Sequence, residues 1–190
     1  MIKRLLLILG GILLLGVLTI VCLAATKPDT FKIERSTTIK AAPEQIFAIL
    51  EDFHQWGWSP WEKLDPNMQR SYGGATKGKG SLYRWEGNND VGAGCLEIKD
   101  TIPPTKVQMR LDIIKPFEAK NDVEFSLTPA LEGTEVTWSM KGQNNFMCKV
   151  MQIFINTDAM CGKQFEEGLA NLKKSIEAPK KPEGEVPVTK

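Results

Sequence analysis

Five runs of two-residue alternation, followed by one switch to helical spacing, constrain this chain more than anything else in it. Phe31, Ile33 and Ile39 alternate with Lys32, Glu34 and Lys40, and Tyr83 and Trp85 with Arg84 and Glu86. Val107, Met109, Leu111 and Ile113 alternate with Gln108, Arg110 and Asp112. Val123, Phe125 and Leu127 follow the same rule, as do Val136, Trp138 and Met140. Successive side chains of a strand point to opposite faces, so these runs describe an antiparallel sheet with one wet and one dry side. Turn signals separate them at Gly73-Gly74, Gly87 to Asp90, Pro103-Pro104, Pro116 and Glu132-Gly133. Beyond Asn144-Asn145 the period becomes helical: Phe165, Leu169, Leu172 and Ile176 recur at spacings of 4, 3 and 4. Met147, Val150, Met151, Phe154 and Ile155 form an earlier apolar stretch, and Asn156 to Asp158 with Gly162 mark a kink or break. A sheet with one dry face must bury it, and the long C-terminal helix is the element large enough to do so. The expectation is an α+β fold, a curved antiparallel sheet wrapped around that helix. In this register Val107, Met109 and Leu111 share a face with Val123, Phe125, Val136 and Trp138, under Phe165, Leu169 and Leu172. A slip of one residue would put Gln108 and Arg110 there instead.

The N-terminus is a separate unit. Leu5 to Ala25 is 21 residues without a charge, preceded by Lys3 and Arg4. About 20 residues at roughly 1.5 Å each span a bilayer's hydrocarbon, whereas the apolar core of a cleaved signal is about 7–15 residues. A single uncleaved transmembrane anchor is the expectation, with a cleaved signal as the rival. The short N-terminal tail staying inside would place the domain on the non-cytoplasmic side of the cell membrane, although Lys27 and Lys32 nearly balance the charge count. The expected organisation is an anchor over residues 1–26, a globular domain over 27–177 and a disordered tail over 178–190, which carries three prolines and no packing face.

The 24 basic and 23 acidic residues are scattered, which points away from nucleic acid as a partner. The single histidine, His54, reads as a surface residue, and the cysteines lack zinc spacing, so neither a metal nor another cofactor is expected. Cys148 and Cys161 would lie about 20 Å apart on one continuous helix, too far for a disulfide, so buried free thiols are the expectation. Arg84, Glu86, Glu97, Arg110, Asp112 and Glu124 read as ion pairs on the wet face. Arg35 is the one charge with dry-face parity on the first strand; it would pair at the rim or meet an acidic head group.

The stretch Thr38 to Trp61 joins a strand to Ala42-Pro43, a short helix with Ile46, Phe47 and Leu50 on one face, and a loop bearing Trp56, Trp58 and Trp61. Pro43 suits a first helical turn, where its missing N–H costs nothing. With Trp85-Glu86-Gly87-Asn88, Val136-Thr137-Trp138, Gly142 to Met147 and Phe165 to Lys173, this stretch resembles the START-like (SRPBCC) helix-grip superfamily, in its polyketide cyclase/dehydrase branch, over roughly Phe31 to Glu177. The resemblance implies a cup for a hydrophobic small molecule or lipid. Trp58, Trp61, Tyr83, Trp85, Met109, Phe125, Trp138, Met151 and Phe154 have the chemistry of its lining, and serve equally well as plain core. The tryptophan loop would either line the mouth of the cup or plug it. The leading expectation is a monomeric, membrane-anchored binding protein with no catalytic residue assigned. A cyclase/dehydratase-like enzyme and a co-chaperone-like interaction module are the alternatives.

Overall fold

The computed structural model describes residues 2–154 and 156–178. Helix α1 (Ile2–Ala25) precedes strand β1 (Thr30–Ile39), then helix α2 (Pro43–Leu50) and two 3-10 turns, Phe53–Trp58 and Pro60–Lys63. Six further strands follow: β2 (Gln69–Gly74), β3 (Ser81–Glu86), β4 (Ala93–Ile102), β5 (Lys106–Lys115), β6 (Ala119–Ala130) and β7 (Gly133–Gln143). Helices α3 (Phe146–Phe154) and α4 (Thr157–Glu177) complete the described chain. The sheet is antiparallel with order β1-β7-β6-β5-β4-β3-β2. β2 to β7 therefore form a meander whose last strand returns beside the first.

The register follows the dry-face parity. Val107 lies opposite Phe125, Met109 opposite Val123, Phe125 opposite Trp138 and Leu127 opposite Val136. All seven are buried, as are Phe165, Leu169 and Leu172 of α4. Gln108 is on the outer side, donating to Glu124 at 2.9 Å. On that side Lys106 pairs with Glu124 across β5 and β6, whereas Arg110–Asp112 and Lys99–Glu97 run along single strands. The wet-face pairing is thus more lysine-based, and less a ladder of alternating charge, than the sequence suggests.

Local chemistry explains the connections. Pro43 opens α2 from an extended Ala42, and Ile46, Phe47 and Leu50 are its buried face. Asp52 caps the first 3-10 turn by accepting from the His54 amide. Gly87 lets the β3–β4 turn close on Asp65: an added Cβ would stand 2.6 Å from the Asp65 carboxylate, which accepts from the Asn88 amide at 2.7 Å. The break in the C-terminal helical region falls at Asn156, whose side chain accepts from the Ala159 amide and caps α4. The cysteines are free, as expected, but Cys95, Cys148 and Cys161 are only half-buried and Cys22 is exposed. Partial burial still pushes the Cys95 and Cys161 thiols above their ordinary range. Of the expected tail 178–190, all but Ala178 lies outside the described residues, as does Ile155.

Candidate functional site

The concave side of the sheet, α4 and the tryptophan loop enclose one aromatic cluster. β6 and β7 place Phe125 and Trp138 side by side, ring centroids 4.9 Å apart. α4 lays Phe165 parallel on Trp138 at 4.2 Å. The loop drives Trp58 edge-on against both Phe125, at 6.1 Å, and Trp138, at 5.8 Å, while Trp61 meets Trp138 at 5.9 Å. Trp56, its N–H donating to the Leu50 carbonyl at 3.3 Å, closes on Phe125 from the same loop. Trp56 and Trp58 are buried and Trp61 is half-buried. Of the two roles open to the loop, the observed one is a plug.

Two groups in this lining are anomalous. The indole N–H of Trp58 and that of Trp138 have no hydrogen-bond partner among the described residues, although these side chains are only 6% and 4% exposed. A buried donor left unmet costs about 1–3 kcal/mol, and buried Trp N–H groups ordinarily find an acceptor. Trp56 satisfies that rule; its neighbours do not.

The far end of the cup is polar, which parity does not announce. Tyr83 is buried on the concave face and donates its hydroxyl to Glu62 at 2.8 Å. Arg70, opposite Trp85 on edge strand β2, grips the other Glu62 oxygen through Nε at 2.8 Å and Nη2 at 2.6 Å. Burial, reinforced by the carboxylate, pushes the Tyr83 phenol far above its ordinary range. Tyr72 packs on Tyr83 and on His54, with centroids 5.5 and 4.2 Å apart, and its own phenol is raised chiefly by burial. His54 is exposed and within 3.1 Å of Asp52. Trp85 lies half-buried beside Tyr83, centroids 5.9 Å apart, its N–H donating to the Val91 carbonyl. Its ring occupies the space that a Cβ on Gly94 would need, at 2.6 Å. Sequence reasoning missed Glu62 and Arg70, because each lies in a short irregular or edge segment without a periodic signal.

Arg35 takes the rim role. It donates from Nε to Glu166 at 2.8 Å and from Nη2 to Asp158 at 3.0 Å, tying β1 to α4. A Cβ on Gly162 would stand 2.0 Å from Nη2, so the glycine read as a helix break is instead the notch that admits this side chain. Hydrogen bonds from Arg35 hold the Asp158 carboxyl below the usual carboxylate range.

Of the nine expected lining residues, Trp58, Trp61, Tyr83, Trp85, Met109, Phe125 and Trp138 belong to or pack on the core. Met151 and Phe154 do not. They are 41% and 70% exposed on α3, outside the cup. The break at Asn156 makes α3 a separate short helix, so its apolar face need not continue that of α4. A surface groove of about 530 Å³ runs between α3 and β1, bordered by Phe31, Ile33, Ile153 and Phe154.

A seven-stranded antiparallel sheet closed over a long C-terminal helix defines the helix-grip class. Residues 30–177 match the family described as "Polyketide cyclase / dehydrase and lipid transport", and the chain belongs to that family. Among solved structures it is similar to the Aha1 dimer from Colwellia psychrerythraea, at 19% identity and a TM-score of 0.57, covering 80% of this chain and 99% of that one. Protein MLL2253 from Mesorhizobium loti matches at 15% identity and a TM-score of 0.56, covering 77% and 96%. The di-domain ARO/CYC StfQ from the steffimycin biosynthetic pathway matches at 9% identity and a TM-score of 0.54, covering 76% of this chain and 49% of that one. At such identities the likeness concerns the fold. No curated protein matches the sequence.

Proposed function

We propose that this chain is a membrane-anchored binding protein for an apolar small molecule or lipid that carries a hydrogen-bond acceptor. The ligand would lie between the sheet and α4, against Phe125, Met109 and Trp138, in space that opens when the tryptophan loop plugging it withdraws. The observation that supports this reading most is the pair of unmet indole donors, Trp58 and Trp138, set in an otherwise apolar lining. A few polar groups in an apolar enclosure are what orient a small ligand. An ester, ketone or hydroxyl oxygen would satisfy either donor. The ligand's hydrocarbon contributes about 25 cal/mol for each Å² it removes from water. α1, with a mean hydropathy of 2.9 over its most apolar window and none of that window buried, is long and apolar enough to cross a membrane. As a single-span anchor it would hold the cup where such ligands concentrate.

Native mass spectrometry of the detergent-extracted full chain tests the class, since a carrier should retain ligand. Trp138→Phe should keep the fold and weaken binding of an oxygen-bearing lipid probe about 3- to 10-fold, the worth of one neutral hydrogen bond, while binding of a pure hydrocarbon probe is unchanged. Equal losses for both probes would refute the donor role.

The cyclase-like alternative draws on the Glu62–Arg70–Tyr83 cluster. Its phenol is shifted away from neutrality, however, which suits a hydrogen-bond donor better than an acid or base at pH 7.

A further inference from the structure

Helix α3 is amphipathic with its faces reversed. At 100° per residue, Phe146, Met147, Val150, Met151 and Phe154 fall on one side and Cys148, Lys149 and Gln152 on the other. A surface helix in water turns its apolar side to the protein. Here the polar side faces inward: Gln152 donates to the buried Asn144 side chain at 2.8 Å, and the largely covered Lys149 ammonium pairs with Asp29 in the linker after α1. The apolar side faces out, with Phe146 55%, Met147 59%, Met151 41% and Phe154 70% exposed; no residue of α3 is buried. Met160, at the start of α4, is likewise 57% exposed.

The neighbour of α3 is α1. The two helices pack against each other, and among the described side chains of α1 only Ile20 and Ala24, in its last turns, lose much of their exposure. α3 therefore sits beside the domain-proximal end of α1, whose described side chains are otherwise exposed. Asn144 binds the Pro28 carbonyl through its side chain at 3.0 Å and the Asp29 carbonyl through its amide, fixing the linker, α3 and the end of β7 as one unit.

We infer that α3 lies in the interfacial layer of the bilayer that α1 spans, with Phe146, Met147, Met151 and Phe154 seated among the acyl chains nearest the head groups. The inference rests on the reading of α1 as a span. An amphipathic helix binds such a layer through its apolar side, and here the linker holds that side level with the end of the span. The groove between α3 and β1, bordered by Phe31 and Phe154, then opens at the lipid surface.

Depth-dependent fluorescence quenching tests it on the full chain in phosphatidylcholine/phosphatidylglycerol vesicles. Cys22, Cys95, Cys148 and Cys161 are replaced by Ala, and an environment-sensitive nitrobenzoxadiazole label is placed at residue 154, at 14 within α1 or at 128 on the far end of β6. Lipids brominated along their chains should strongly quench the label at 14, quench that at 154 most when the bromine is near the head group, and leave that at 128 unaffected. Quenching at 14 with 154 behaving like 128 overturns the inference and leaves the anchor standing. No quenching at 14 overturns both. A blue-shifted but unquenched label at 154, with the protein running as a dimer in detergent, assigns the face to a second copy instead and also overturns it. Hydrogen exchange on the chain with its native cysteines gives a second readout. α3 amides should be protected in vesicles and lose that protection in the Phe146→Ser/Phe154→Ser variant, with sheet protection unchanged; equal α3 protection in both chains overturns the inference.

Discussion

Adding a methyl group at Gly168 sets two ordinarily separate effects against each other. In an exposed helix interior Gly→Ala stabilises by about 1 kcal/mol, because glycine loses more backbone freedom on folding. Here the new Cβ would stand 2.7 Å from Cζ3 of Trp138 and 3.1 Å from Cδ of Pro60, where carbon atoms pack at about 3.5–4.0 Å. Neither neighbour can yield cheaply. Pro60 is a ring built into the start of a 3-10 turn, and Trp138 is stacked on Phe165 and met edge-on by Trp58 and Trp61. Overpacking of this kind costs about 1–3 kcal/mol, so Gly168→Ala should destabilise by about 1 kcal/mol net. In a domain of this size that is about 2–4 °C in Tm, readable by circular dichroism of the full chain in mild detergent. Trp138→Phe removes the atom that clashes, so in that background Gly168→Ala should become neutral or stabilising. The double-mutant cycle should then show a coupling of about 1–2 kcal/mol. A Gly168→Ala variant more stable than the parent, or an equal effect in both backgrounds, would refute the packing argument.

Three further outcomes follow from the same contacts. Because Arg35 holds the Asp158 carboxyl below its ordinary 3.8, that pair stabilises the fold above this value and the contribution drains as pH falls through the lower folded value; a Tm–pH series should show the acid loss flattened in Arg35→Met. Tyr72 and Tyr83 are the two tyrosines of the chain and both are raised from 10.0, so phenolate absorbance should appear only above that value. Stability tied to the neutral phenols should fall only as pH rises through the raised values, and phenolate at or below pH 10 would contradict the buried Tyr83–Glu62 bond. Met109→Trp, at a fully enclosed position, should cost about 1–3 kcal/mol by denaturation, whereas Met151→Trp on the open face of α3 should stay within about 0.5 kcal/mol.

Periodicity carried much of this architecture because each strand of the meander obeys it. Val107, Met109, Phe125 and Trp138 announce both a strand and its buried face, and a two-residue period leaves no freedom in register once one face is dry. Pro43 and the apolar spacing of Ile46, Phe47 and Leu50 placed α2 for equally local reasons. What escaped was non-local or irregular. Glu62 and Arg70 meet Tyr83 only because a 3-10 turn and an edge strand converge at one end of the cup, and neither element has a period that marks its partner. Arg35 showed the parity of the inner face, but that Gly162 makes room for it is a fact about a helix 127 positions away along the chain. Met151 and Phe154 misled because apolar spacing tells that a face is covered, not by what. The residues from Asn156 to Asp158 mark the break before α4, but nothing in the apolar spacing says that the face before the break leaves the interior.

β1 pairs with β7, Thr30 opposite Gln143 and Ile39 opposite Thr134, so the first strand to be synthesised needs the last. A chain emerging N-terminus first carries β1 unpartnered through roughly a hundred residues of elongation, and pairings of such high sequence separation form slowly. During that interval both sides of β1 are open edges, of which β7 later closes one, and each is a template for pairing with any other unfinished copy. Its outer face bears Lys32 and Glu34 and its inner face Arg35, charges that discourage such pairing until β7 arrives. The β2–β6 meander can zip hairpin by hairpin in the meantime. A chain truncated before Gly133 would therefore expose the dry side of β1 with nothing to lie against.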